Sequence, residues 1–181
     1  MDQDLVLAGN HYNKYETSNP VAKFLTDNFK KSLMSLIKEV SPSNVHEVGC
    51  GEGYLTRMIA VHCKDIKASD VSEDIIARAR SISQEKVPRV VEPNKFMVKS
   101  IYDLTARDSA QLMICCEVFE HLSRPSQALE CLSSVAEKYL ILSVPREPVW
   151  CFLNMMRGKY LLNGGILLSL DGLREFACEL T

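Results

Sequence analysis

Short apolar runs alternate with stretches of helical period along most of this chain, and that alternation constrains its fold more than any other feature. "VHEVG" from Val45, "DIKASD" from Asp65, "KFMVKS" from Lys95, "QLMICCEV" from Gln111 and "KYLILSVP" from Lys138 read as five strands. Between them "YLTRMIAVHC" from Tyr54, "SEDIIARARSISQ" with Ser72 as its cap, and "RPSQALECLSSVAE" from Arg124 read as helices. Another helix precedes the first strand: Val21, Phe24, Leu25, Phe29, Leu33, Leu36 and Ile37 recur near helical period until "SPSN" breaks the pattern. Strands joined through helices need crossovers, so the expected fold is α/β, a doubly wound parallel sheet.

With 181 residues, the chain is about the size of one domain. Hydrophobic residues at 46% and charged residues at 24% are an ordinary globular balance. A net charge of -2 gives no basic footprint for nucleic acid, and Lys30-Lys31 reads as a solvated helix face. Seven cysteines, with Cys115 and Cys116 adjacent, argue for reduced thiols and a cytoplasmic location rather than a disulfide framework. The opening "MDQDLVLAGN" lacks the basic region of a signal peptide, and no apolar run approaches the roughly 20 residues of a membrane span, so no membrane partner is expected.

Gly49, Gly51 and Gly53 lie between the first strand and its helix, the switch point of such a Rossmann-like sheet, where ligands bind beyond the strand ends. Glycine there permits backbone angles and close approaches that a Cβ would block. A dinucleotide fingerprint starting at Gly49 would need glycine where Tyr54 stands, and one starting at Gly51 fails at Thr56. Asp70 ends the next strand about 20 residues on, placed for a ribose diol, since a carboxylate accepts two hydroxyl protons. It also suits a helix N-terminal acid. Glu47 reads either as a ligand contact or as a satisfied strand-end carboxylate, and Cys50 as a small turn residue with no thiol chemistry.

"EVGCGEG", then "KASDVSEDIIARAR", then "CCEVFEHL" resemble the first, second and fourth motifs of the class I S-adenosylmethionine-dependent methyltransferases, small-molecule enzymes among them, over roughly residues 40 to 150. The resemblance implies strand order 3-2-1-4-5, with S-adenosylmethionine as cofactor and S-adenosylhomocysteine as product. It implies that Glu47, Gly49, Cys50, Gly51 and Gly53 pass the methionine part, with Glu47 near its amino group, and that Asp70 takes the ribose hydroxyls while Val71 lies against adenine. Cys116 joins that set at the fourth strand's end. Relatives often carry Asp where this chain has Ser100 and Ile101, and a neutral hydroxyl bonds the adenine amino group more weakly than a carboxylate, unless Asp103 substitutes. Gln111 replaces another common Asp, at a position that caps structure rather than touching ligand.

The fourth-strand exit carries Glu117, Glu120 and His121, and three readings stay open. His121 can serve as a general base beside Glu117; Glu117, Glu120 and His121 can hold a divalent metal; or the Glu-His pair only fixes the turn. Little catalytic apparatus is needed, because the cofactor carries the leaving group.

Three regions follow, all within a single domain. Residues 1–40 form a lid and helix, where Tyr12 and Tyr15 share a helical face that suits a sulfonium, unless one of them simply packs on the core. Residues 41–145 form the cofactor-binding core. Residues 146–181 form the acceptor side, where Arg146, Trp150 and Met155 read either as the lining of an apolar pocket for a small molecule or as core packing or a dimer contact. "SLDGLREFACEL", capped by Ser169, reads as a last helix, which leaves no residues for the final antiparallel strand pair of relatives and leaves the fifth strand as an apolar edge. Either Trp150 to Leu168 folds back over that edge, or a second chain covers it, or the chain is a cut and less stable piece; a homodimer partner is the favoured cover. The functional expectation is methyl transfer to a small molecule, O, N or C undetermined; the runners-up are a noncatalytic S-adenosylmethionine-binding or regulatory domain and a nicotinamide-dependent oxidoreductase.

Overall fold

The computed structural model describes residues 20–85, 90–143 and 166–169. Helix α1 spans Pro20–Val40, followed by β1 (Val45–Val48), α2 (Tyr54–Ile59), β2 (Ile66–Asp70) and α3 (Glu73–Glu85). Then come β3 (Phe96–Val98), β4 (Ala110–Cys116), α4 (Pro125–Val135), β5 (Ala136–Ser143) and β6 (Ile166–Ser169). Among the described residues these strands make one sheet in the order β3-β2-β1-β4-β5-β6. The first five are parallel, which is the expected 3-2-1-4-5 order.

The period-2 alternation of the strands divides the interior into two cores. Val45 of β1, Ile66 and Ala68 of β2, and Leu112 and Ile114 of β4 face a layer with Leu33 and Ile37 of α1, Leu55 and Ile59 of α2, and Ile76 of α3. Val48, Met113, Cys115 and Leu140 face the other way, onto Ala128, Leu129 and Leu132 of α4. Strands buried on both faces read as near-continuous apolar runs, which is what "QLMICC" is. Truncating a fully buried residue such as Ile59 to Ala should cost about 2–5 kcal/mol. The apolar stripe expected on α1 is used only in part, since Phe24 is exposed. Gln111 plays the structural part expected of it: its Oε1 accepts the Ser43 amide at 2.6 Å.

One expectation is corrected. β5 is not a bare edge, because β6 pairs with it antiparallel, Tyr139 opposite Ser169 and Leu142 opposite Ile166. The chain's own "ILLS" supplies the backbone partners that an apolar edge requires, so no second chain is needed to cover it. Ser169 thus ends a strand, and the helix expected after it lies outside the described residues. No helix among the described residues is long and apolar enough to cross a membrane.

Candidate cofactor crevice

At the carboxyl end of β1 the chain turns through Gly49, Gly51 and Gly53, all at positive φ (76°, 53° and 75°). The three serve different ends. A Cβ on Gly49 would lie 2.2 Å from Val118 Cγ2, and one on Gly53 would lie 2.5 Å from Phe96 Cε1. Those two glycines therefore admit protein. A Cβ on Gly51 would meet nothing within 4 Å, so that stretch of backbone borders open space.

The turn is fastened to β2. Gly49 and Cys50 donate their amides to Ser69 O at 2.7 and 3.0 Å, and Gly51 donates to Asp70 Oδ2 at 3.0 Å. Asp70 Oδ1 accepts the Ser72 amide at 3.0 Å, and Ser72 Oγ accepts from Ile75 N at 3.4 Å, which caps α3 as its sequence predicts. The Asp70 carboxylate thus lies between the bare side of the turn and the next helix. Beside it Val71 is 53% exposed, and Val98, which ends β3 opposite Asp70, is 48% exposed.

Beneath the turn, Glu47 is 2% exposed and its Oε2 accepts the hydroxyl of Thr56 on α2. Burial pushes its carboxyl up to about 8, against the opposing pulls of Thr56 and Arg57. Cys50 is buried as well, and desolvation followed by the nearby Glu47 and Asp70 drives its thiol up, consistent with a turn residue without thiol chemistry. Thr56 was missed in the sequence. Its signal is a hydroxyl on the buried stripe of α2, flanked by Leu55 and Ile59.

His46, one residue before Glu47, points to the opposite face and is fully buried. Its Nδ1 lies 2.8 Å from Asp108 O, which can only accept, so Nδ1 carries the proton and Nε2 accepts from Ser69 Oγ at 3.0 Å. Desolvation lowers its pKa to about 4. Asp108 bonds Lys99 Nζ at 2.6 Å and both the amide and hydroxyl of Thr105 at 2.8 Å. Burial would raise its carboxyl, but those bonds together outweigh it and hold it at about 2. This network supports the β1–β2 end of the sheet from behind and was not foreseen either.

At the carboxyl end of β4, Cys116 is buried and Glu117 adopts φ 56°. Its amide donates to Ser143 O at 2.8 Å. His121 ends the following turn with its side chain 52% exposed, and Nε2 is 3.9 Å from Glu120 Oε1. Among the described residues no three His, Cys, Asp or Glu side chains gather into a metal-holding group. Ser100 uses its hydroxyl to accept the Tyr102 amide at 3.2 Å, and Ile101 is buried in the core on the α4 face rather than in the crevice. Asp103 is exposed. Tyr12, Tyr15, Arg146, Trp150 and Met155 lie outside the described residues.

Residues 46–139 match the family described as "Methyltransferase domain". The chain belongs to this family. A ubiquinone biosynthesis O-methyltransferase of Xanthomonas euvesicatoria pv. vesicatoria (strain 85-10) is 26% identical over 128 residues, 68% of this chain and 52% of that protein. The chain thus spans about half the length of the curated relative it matches. Among solved structures, magnesium protoporphyrin IX methyltransferase from Synechocystis PCC 6803 with bound S-adenosylhomocysteine superposes with a TM-score of 0.64 at 20% identity, over 92% of this chain and 79% of that one. The N-methyltransferase NodS of Bradyrhizobium japonicum WM9, in complex with S-adenosylhomocysteine, gives 0.63 at 18% identity, over 95% and 80%. At those identities the likeness is one of fold.

Proposed function

We propose that the chain binds S-adenosylmethionine in the crevice beyond β1 and β2 and transfers its methyl group to a small-molecule acceptor. The observation that carries the reading is the Gly51 backbone, bare toward open space and bonded to the Asp70 carboxylate. The relatives, an O-methyltransferase and two methyltransferases solved with S-adenosylhomocysteine, favour the same ligand.

The residues present fit the group. Asp70 spends one lone pair of each oxygen on Gly51 and Ser72, which leaves acceptor capacity for a ribose diol. Val71 and Val98 offer exposed apolar surface beside it for a purine face. Glu47 lies under the turn for an ammonium group. Cys116 and Ser100 border the same strand ends, Ser100 with its cap bond already made.

When bound, S-adenosylmethionine supplies a methyl group on a sulfonium, a good leaving group. The chain's own part is orientation and exclusion of water, and alignment of donor and acceptor is worth about 7–11 kcal/mol in favourable cases. His121, at the β4 exit and half in solvent, takes a proton from a hydroxyl or amine acceptor; Glu117 is the second candidate there. Arg146, Trp150 and Met155 are proposed for the acceptor pocket. Incubation with S-adenosylmethionine carrying a labelled methyl group, together with a pool of small metabolites, tests the function. Label should enter small molecules, and retention of all label on the cofactor would favour a binding domain without catalysis.

A further inference from the structure

The Gly49–Gly53 turn closes over a carboxylate that, among the described residues, no lysine or arginine hydrogen-bonds: Glu47 is fully enclosed, and its hydrogen bond is from Thr56. Arg57, next on α2, spends its Nη1 on Glu52 O at 2.8 Å instead. A hydroxyl is an unusual choice of partner for a buried carboxylate, because an ammonium or guanidinium would hold the anion more firmly. It has one property that those groups lack. A hydroxyl donates to a carboxylate and accepts from a carboxylic acid, so Thr56 can bond Glu47 in either protonation state.

We propose that Thr56 is the positioning residue of the cofactor crevice, holding Glu47 under the glycine turn as an acid before the cofactor arrives and as an anion afterwards, so that cofactor capture releases a proton. The inference rests on the cofactor reading above. Before the cofactor binds, Glu47 faces Thr56 and Arg57 of α2, Asp70 of β2 and the Cys50 thiol; burial dominates, and the carboxyl stays protonated up to about 8. An arriving α-ammonium favours the anion, so the Glu47 proton passes to the buffer and the hydroxyl of Thr56 turns to donate. Charge balances, since one cation enters the pocket and one proton leaves.

The consequence is linkage. Binding needs ionised Glu47, so affinity should rise with pH by about tenfold per unit until the carboxyl's own pKa is reached. Without the hydroxyl the anion loses its donor, the carboxyl titrates higher still, and the same affinity is reached only at higher pH.

Isothermal titration calorimetry with S-adenosylhomocysteine, from about pH 6 to about pH 9 in buffers of different ionisation enthalpy, tests this. The wild type should release close to one proton per ligand at neutral pH. Thr56→Val, and Thr56→Ala without the added methyl, should weaken binding about tenfold at neutral pH and shift the affinity profile upward, whereas Thr56→Ser should stay within about threefold. Glu47→Gln should release no proton, and adding Thr56→Val to it should cost no more than about threefold. Melting curves check that each variant folds. Wild-type affinity and proton release in both Thr56→Val and Thr56→Ala would overturn the inference and leave the cofactor reading standing. A wild type that does not bind S-adenosylhomocysteine at all would overturn both.

Discussion

Where β1 ends, the chain turns through three glycines over an enclosed carboxylate; where β4 ends, it turns through a glutamate, and a histidine emerges into solvent. Both turns begin in the left-handed region, Gly49 at φ 76° and Glu117 at φ 56°. The first turn is glycine because space demands it, Val118 filling the volume where a side chain on Gly49 would stand. The second keeps a side chain at the expense of backbone strain, about 1–2 kcal/mol for a residue with a Cβ. The two exits also interlock through that Val118 contact. The difference teaches which part of the crevice is built around a fixed ligand shape and which part presents functional groups.

The largest expected effect breaks the first exit. Gly49→Ala adds left-handed strain of about 1–2 kcal/mol to overpacking of about 1–3 against Val118, so denaturant unfolding should show a loss of about 3 kcal/mol. Gly51→Ala should lose only the strain, because its side chain meets open space. It should nevertheless lower affinity for S-adenosylhomocysteine more than its stability loss suggests. Equal stability losses in the two variants would show that the glycines are not divided as described.

Next in size is a pH effect confined to the sheet behind the first exit. The folded pKa of His46 is depressed to about 4, so its contribution to stability is present above its ordinary pKa of 6.5 and is lost as pH falls toward 4. Glu47 works in the opposite sense, its contribution being lost as pH rises toward about 8. The wild type minus His46→Gln difference removes that opposing part. Thermal melts should show this difference shrinking between about pH 6.5 and about pH 4. A difference constant over that range would place the proton-linked group elsewhere.

Smaller, and of opposite sign, is the change at the second exit. Glu117→Gly should relieve the left-handed strain and, after the entropy cost of glycine, stabilise by about 0.5–1 kcal/mol in urea unfolding. Destabilisation would mean that the glutamate side chain holds the turn. The smallest effect belongs to His121→Ala. A half-exposed side chain should change stability by no more than about 0.5 kcal/mol, while turnover falls if His121 is the base. Unchanged turnover would make His121 a turn residue.

The first exit was far more legible in the sequence than the second. Glycine spacing, an acid one strand later and a capping Ser72 are local signals, and each lies where the pattern placed it. The five parallel strands were legible for the same reason, since long buried runs with helices between them admit few topologies. β6 was not, because three apolar residues and a serine do not distinguish strand from helix, and the pairing with Tyr139–Leu142 is a long-range fact. Nor was the division of labour among the glycines, which depends on Val118 of the turn after β4 and Phe96 of β3, both far away in sequence. His46 and Thr56 stood in plain view as polar residues on buried faces, but their partners, Asp108 and Glu47, become visible only once the sheet is assembled. At the second exit, the Glu-x-x-Glu-His pattern left three readings that spacing could not separate.

The central claim is that the first exit is a crevice for S-adenosylmethionine, with Asp70 on its ribose. Calorimetric titration of the wild type and Asp70→Ala with S-adenosylhomocysteine, and of the wild type with NAD, tests it most directly. The account predicts one site for S-adenosylhomocysteine, weakened by about 1–3 kcal/mol in Asp70→Ala, and no heat with NAD. Binding of NAD in place of S-adenosylhomocysteine, or an Asp70→Ala variant with the wild-type dissociation constant, would contradict it.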